Sequence, residues 1–71
     1  MAREVPIREG TIRLGQLLKL ADLIDAGSDA KGLIADGAVY VNGEIEHQRG
    51  RQLRAGDVVR VGDDEVVVSV S

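Results

Sequence analysis

Three arginines close together in the second half of the chain are the residues best suited to chemistry. Segment 47–54 contains Arg49, Arg51 and Arg54 without an acidic residue, and Gly50 in it allows close approach of a ligand. A guanidinium group matches phosphate oxygens two at a time. The segment therefore predicts a nucleic-acid contact, although its composition fits a solvated loop equally well. The net charge of −3 favours the solvated loop, since small acidic proteins are not typical nucleic-acid binders.

Three more cations lie in segments with helical character and could join the arginines if the helices face the same side. They are Arg13, Lys19 and Lys31. Charge is unevenly distributed, because residues 47–60 hold four arginines against one aspartate, whereas residues 21–46 hold six acids against one lysine. Positive charge is thus concentrated in blocks that the net charge conceals.

Residues for catalysis or metal binding are scarce. The chain has one histidine and no cysteine, and His47 has no partner in an activating motif beside it. Glu44 and Glu46 lie beside a turn in an exposed hairpin, where they are expected to form a solvated polar edge. A lone histidine does not supply the three or four ligands of a metal site, and no Walker-type loop is present. We therefore expect a protein that is not an enzyme and that has no cofactor, metal or small-molecule substrate.

The length and overall composition predict one domain over residues 1–71. There is no apolar run of membrane-spanning length, and the N-terminal segment lacks the apolar core of a targeting signal. The absence of cysteine suits a reducing compartment. These features predict a cytoplasmic protein without a membrane contact, and a monomer is favoured.

Two helices are expected in the first half of the chain. Apolar residues at helical spacing predict the first helix over residues 14–23, namely Leu14, Leu17, Leu18, Ala21 and Ile24. Ser28 is suited to the N-cap of the second helix because its hydroxyl can accept a hydrogen bond from a first-turn amide. Asp29 would then lie at the positive end of the helix dipole. Gly37 is predicted to end this second helix.

A hairpin is expected after the second helix. Its first strand is rich in valine and is followed by Asn42 and Gly43, which tolerate the positive φ of a tight turn. A two-residue loop would pair Val41 with Glu44, whereas a three-residue loop would pair Val41 with Ile45. We favour the three-residue loop because it places the valines and Ile45 on one face.

The remaining chain is expected to add short strands to an α+β fold. Residues 3–8 are predicted to form an edge strand, and segment 47–54 is predicted to be an irregular exposed loop that Leu53 anchors in the core. Valine-rich runs over 58–61 and 66–70 predict a second hairpin. An exposed edge at 66–70 is hypothesised to pair with another copy of the chain.

Four motifs occur in a fixed order: Arg13-Leu14-Gly-Gln-Leu-Leu18, Ser28-Asp-Ala-Lys31, Leu33-Ile34-Ala-Asp-Gly37-Ala-Val39-Tyr-Val41-Asn42-Gly43 and Ala55-Gly56-Asp57-Val58. In this order and spacing they resemble the S4 domain, a small RNA-binding module of a ribosomal protein, pseudouridine synthases and some aminoacyl-tRNA synthetases. The resemblance covers about residues 11–61. Segments 17–21 and 41–51 are further similar to stand-alone bacterial S4-domain proteins.

The resemblance implies a two-helix S4-like (alpha-L) motif packed on a small, mostly antiparallel β-sheet. It also implies a structured RNA partner, ribosomal or transfer RNA, bound along the helix pair and the adjacent hairpin. The RNA-binding residues that it implies are Arg13, Ser28, Lys31, Asn42, Gly43, Arg49 and Arg51. Charge and position add Lys19 and Arg54. The strongest candidates are Lys31, Arg49 and Arg51.

The chain departs from the family pattern at three informative positions. Gly15 stands where aspartate is common, Asp29 where arginine is frequent, and Tyr40 where a basic residue is frequent. An outward-facing Tyr40 could stack on an unpaired base, although a half-buried strand aromatic is the expected role. We predict a non-catalytic RNA-binding module, and the alternative is a protein-interaction module with the same fold and lost or weak RNA affinity.

Overall fold

The computed structural model describes residues 3–24 and 30–70. Within these residues, two short helices and seven strands give the α+β class predicted from the sequence. In chain order they are β1 (Arg3–Ile7), β2 (Thr11–Arg13), α1 (Leu14–Leu20), α2 (Ala30–Ala35), β3 (Val39–Val41), β4 (Glu44–Ile45), β5 (Gln52–Arg54), β6 (Val58–Val61) and β7 (Asp64–Val70).

Five strands form the main sheet in the order β1-β7-β6-β3-β4, and β2 pairs with β5 in a separate ladder. Strands β1 and β7 are parallel, while the other pairs are antiparallel. The mostly antiparallel sheet, the edge position of β1 and the β6–β7 hairpin were all predicted. The hypothesis of an exposed edge at 66–70 is wrong, because β1 pairs with β7 along its outer side.

One apolar core is shared by the helices and the main sheet. In β3, Val39 and Val41 are fully buried and Tyr40 between them is half-buried, which follows from the alternation of side chains along a strand. No polar side chain is buried among the described residues. The largest fully buried side chains are Leu14, Leu17, Leu18, Ile34, Leu53, Val39, Val41, Val59, Val66 and Val68.

Helix α1 ends earlier than the apolar spacing predicted. The amide of Leu23 donates to the carbonyl of Leu18 (3.0 Å), and the amide of Asp22 donates to that of Lys19 (3.2 Å). This is the Schellman pattern, in which a left-handed residue turns the chain out of the helix. Asp22 is that residue, with φ of 59°. The predicted extension to residue 23 is therefore wrong, because the buried residues after Leu20 belong to the turn.

Helix α2 ends with the same pattern at Gly37, as predicted. The amide of Ala38 donates to the carbonyl of Leu33 (3.1 Å), and that of Gly37 donates to Ile34 (3.1 Å). Gly37 has φ of 75°, a conformation that glycine adopts without the steric cost of a Cβ. The chain then enters β3 after one further residue.

The β3–β4 hairpin has a two-residue turn, so the predicted three-residue loop is wrong. Tyr40 pairs with Ile45 across the two strands. Asn42 and Gly43 have φ of 53° and 86°, and two successive left-handed residues form the tight turn whose twist matches that of the strands. The turn geometry of Asn42 and Gly43 therefore sets the register, although it prevents Ile45 from sharing the face of the buried valines. Ile45 is accordingly 48% exposed.

Segment 47–54 is not irregular throughout, because its last three residues form β5. This part of the loop prediction is wrong: Leu53 pairs with Ile12 of β2 in an antiparallel ladder. Leu53 is fully buried, as predicted. The ladder fixes residues 47–51, here called the arginine-rich loop, beside the start of α1, which is where the candidate site lies.

Candidate nucleic-acid interface

An open pocket of about 350 Å³ lies between α1, the start of α2 and the loop before β5. Three cationic residues line it, Arg13, Lys19 and Arg49, and none of the described lining residues is acidic. The other lining residues are Gly15, Gln16, Ala30 and Gly50. The structure thus brings together three of the predicted site residues, which are separated by up to 36 positions in the sequence.

Helical spacing explains how α1 contributes to this pocket. Arg13 is the extended N-cap residue, with φ of −78° and ψ of 147°, and Lys19 lies in the last turn. With Gln16 between them, they recur at three-residue intervals and share one side of the helix. Leu17 and Leu18 are buried instead. The sequence reasoning missed Gln16, although this three-residue spacing was the signal that could have identified it.

Backbone hydrogen bonds hold the arginine-rich loop against α1. The amide of Leu14 donates to the carbonyl of Arg51 (2.9 Å), and that of Gly15 donates to the carbonyl of Arg49 (3.1 Å). First-turn amides have no partner within a helix, and none of the described side chains caps the N-terminus of α1. The amide of Arg51 also donates to Gln48 (3.2 Å), closing the loop on itself. Loop carbonyls therefore cap the helix and place Arg49 at the pocket.

Arg51 is held by an acidic neighbour rather than lining the pocket. Its Nη1 lies 2.6 Å from Oε1 of Glu46, whose side chain is 15% exposed. Oε2 of Glu46 accepts a second hydrogen bond from the amide of Gln48 (3.1 Å). The hydrogen bond from Arg51 lowers the pKa of Glu46, and the same bond raises the pKa of Arg51. Much of the positive charge of Arg51 is thus balanced within the protein.

Asn42 and Arg54 belong to a separate hydrogen-bond network at two turns. Oδ1 of Asn42 accepts from the amide of Val58 (3.0 Å), and its Nδ2 donates to Oδ1 of Asp57 (3.1 Å). The other oxygen of Asp57 accepts from the amide of Arg54 (2.8 Å). Asn42, Gly43 and Arg54 do not line the pocket. The structure therefore shows turn chemistry at Asn42.

Two other predicted residues lie near the gap in the described chain. Lys31 is exposed on α2, next to Ala30 of the pocket lining. Ser28 lies outside the described residues, as does Asp29, so the predicted N-cap of the second helix falls there too.

Tyr40 is half-buried in β3, in agreement with the role expected for it as a strand aromatic. It pairs with Arg60 of β6, and the guanidinium carbon of Arg60 lies 4.5 Å from the ring centroid. This is cation–π distance. Arg60 therefore occupies one face of the ring, and a base stacking on that face would have to displace it.

Neither a metal-binding cluster nor a membrane-spanning helix is found in the part of the chain that the structure describes. Between residues 3–24 and 30–70, no group of three or more histidine or acidic residues could hold a metal ion. None of the described helices has the length and apolar character needed to cross a membrane. The chemistry that the described pocket does assemble is suited to anions.

Comparison with known proteins identifies the family. The model of the S4 domain matches residues 5–69. The chain is also 46% identical over 61 residues to the "Probable ribosome maturation protein RlbA" of Bacillus subtilis (strain 168), covering 86% of each protein. The family match spans both helices, the β3–β4 hairpin, nearly all of the β6–β7 hairpin and the arginine-rich loop. The chain therefore belongs to the S4 domain family.

Proposed function

We propose that this chain is a non-catalytic RNA-binding protein that docks structured RNA at the pocket formed by Arg13, Lys19 and Arg49. The observation that carries the proposal is the convergence of these three cations in a pocket whose described lining residues include no acid. Phosphate groups dominate the affinity of proteins for nucleic acids, and each neutralised phosphate releases counterions. The pocket offers that interaction to a ligand whose backbone passes over α1.

For RNA binding, the positive charge concentrated in the pocket matters more than the negative net charge of the whole chain. The net charge is −3, so the protein as a whole repels RNA at long range. Salt screens such long-range terms over about 10 Å, whereas groups in contact are screened much less. Binding should therefore be confined to the cationic pocket, and shape and phosphate contacts should contribute more than base reading.

Ribosomal RNA is the favoured ligand in this proposal, with transfer RNA second. Support comes from the Bacillus relative, whose name describes a probable ribosome maturation protein. We therefore propose that this chain also acts on the ribosome or its precursors. Its size allows it to dock on a folded RNA surface beside other proteins.

The other predicted residues have secondary roles in this proposal. We place Lys31 and Arg54 at the periphery of the RNA contact, because both are exposed. Arg51 shapes the loop through Glu46, while Asn42 and Gly43 shape the hairpin turn beside the RNA. Ser28 stays a predicted contact.

A binding titration against ribosomal and transfer RNA at about 50 and 200 mM salt tests the proposal. Three phosphate contacts predict a log–log salt slope of roughly −2 to −3, at 0.7–0.9 for each contact. Arg49→Ala should weaken binding and reduce the magnitude of this slope by about 0.7–0.9, which is the contribution of one phosphate contact. Arg8→Ala is the matched control, since Arg8 is exposed and does not line this pocket.

Three outcomes would refute the proposed function. The first is no RNA binding by the native chain at low salt. The second is an equal loss of binding in Arg49→Ala and Arg8→Ala, which would show attraction to charge anywhere on the surface. The third is capture of a ribosomal protein with no dependence on salt, which would favour the protein-interaction alternative.

A further inference from the structure

Gly15 occupies a helix position at which the lack of a side chain needs an explanation. It lies in the first turn of α1 and is buried. Its φ is outside the left-handed region, so the backbone conformation does not require glycine. Glycine also destabilises a helix relative to alanine. The explanation must therefore lie in what contacts its Cα.

The side chain of Arg49 lies directly against Gly15. A Cβ atom built on Gly15 would be 2.8 Å from Cγ and 3.3 Å from Cδ of Arg49. The first distance is too short for two carbon atoms, so the arginine stem would have to move. The carbonyl oxygen of Arg49 would be 3.7 Å away, an ordinary contact. The added Cβ would thus overlap the side chain of Arg49 but not the backbone of the loop.

This contact affects the direction in which Arg49 points. Its stem crosses α1 at Gly15, and the residue lines the pocket together with Arg13 and Lys19. A free arginine side chain has many rotamers and loses them on binding. A stem that already lies against the helix has fewer conformations to lose, which favours binding.

We propose that Gly15 is a positioning residue for RNA binding, because it lets the stem of Arg49 cross α1 and direct the guanidinium into the pocket. The inference rests on the proposed function and names a determinant of the same site. Gly15→Ala should weaken RNA binding about five- to tenfold, as the loss of one charged contact would. It should also reduce the magnitude of the salt slope by roughly 0.7–0.9, as Arg49→Ala does.

A double-variant comparison separates positioning from an independent effect. If Gly15 acts through Arg49, the variant Gly15→Ala/Arg49→Ala should bind RNA no more weakly than Arg49→Ala alone. Gly32→Ala is the matched control, since Gly32 is also within a helix and a Cβ built on it meets no atom of the described residues within 4 Å. The control should leave RNA affinity unchanged.

Thermal unfolding of the same variants tests the contact without RNA. Alanine at position 15 improves helix propensity but overlaps Arg49, so Gly15→Ala should raise the unfolding midpoint only when Arg49 is also alanine. Gly32→Ala should raise the midpoint in either background. If the added methyl prevents folding of Gly15→Ala, removing the Arg49 stem should restore it.

Four results bear on the inference. Native affinity in Gly15→Ala would overturn it, provided that Arg49→Ala binds more weakly. It would also be overturned if the losses of RNA affinity from the two single substitutions multiplied in the double variant. Equal shifts of the unfolding midpoint from Gly15→Ala, with either arginine or alanine at position 49, would overturn it as well. Failure of the native chain to bind RNA would refute the proposed function and with it the role of Gly15 in binding, while the unfolding comparison would still decide whether Gly15 constrains Arg49.

Discussion

Replacing Leu53 with alanine is expected to remove a large part of the stability of this fold. Leu53 is fully buried, although β5 is only three residues long. Substitutions of buried leucine by alanine cost about 2–5 kcal/mol, because the lost apolar contacts leave a cavity. A chain of this size has a free energy of unfolding of roughly 4–10 kcal/mol. A loss of about 3 kcal/mol would lower the thermal midpoint by about 12–24 °C.

Ile45→Ala provides the matched comparison, because Ile45 has the opposite environment. Ile45 is 48% exposed in the two-residue hairpin. Fully burying an isoleucine contributes about 1.5–3 kcal/mol, so truncating this half-exposed side chain should cost about 1 kcal/mol or less. The three-residue register, with Ile45 in the core, would make its cost similar to that at Leu53.

Urea denaturation followed by far-ultraviolet circular dichroism measures both variants. The midpoint should fall much further for Leu53→Ala than for Ile45→Ala, with the slope of the free energy against urea unchanged. Equal losses at the two positions would refute the two-residue register. A loss below about 1 kcal/mol at Leu53 would refute its role as the anchor of the arginine-rich loop.

Two further changes test a helix end and the ion pair of the loop. Asp22→Gly should raise the free energy of unfolding by up to about 1 kcal/mol, because glycine adopts a left-handed φ without a Cβ penalty; a lower urea midpoint than that of the native chain would contradict this. The pKa of Glu46 is lowered in the folded chain by the hydrogen bond from Arg51, so its ionised form stabilises the fold above the unfolded pKa, and this contribution is lost as the pH falls through the folded pKa. Glu46→Gln should therefore destabilise the fold at neutral pH and differ less from the native chain in acid, as followed by urea unfolding across that range; a difference independent of pH would exclude this linkage.

Local turn and helix chemistry was readable from the sequence. Gly37 ends α2 because the chain turns out of the helix at a left-handed residue. A glycine after a run of helical spacing indicates such a helix end without knowledge of the tertiary fold. The valine-rich hairpin followed from its β-branched runs, and the burial of Leu53 followed from its isolation among polar residues. The S4 family was also identified from the order of its motifs, as the match over residues 5–69 shows.

Pairings between distant segments could not be read in the same way. Strands β2 and β5 each have a single apolar residue between two polar ones, which is too weak a pattern to predict a strand, and their partners are set by the tertiary fold. The hairpin register was misjudged because the apolar character of Ile45 was given more weight than the turn geometry of Asn42 and Gly43. The same limitation applies at the candidate site, where the contact between Gly15 and Arg49 joins residues 34 positions apart.

The parallel pairing of β1 with β7 determines the order in which the sheet can assemble. Arg3 pairs with Val66, 63 positions later, so the first described strand cannot dock until nearly the whole described chain has been synthesised. Closing so large a loop is slow compared with forming the local hairpins. A β6–β7 hairpin that forms first exposes a valine-rich edge until β1 covers it. This edge is paired in the folded chain, but before β1 docks it presents a transient risk of aggregation.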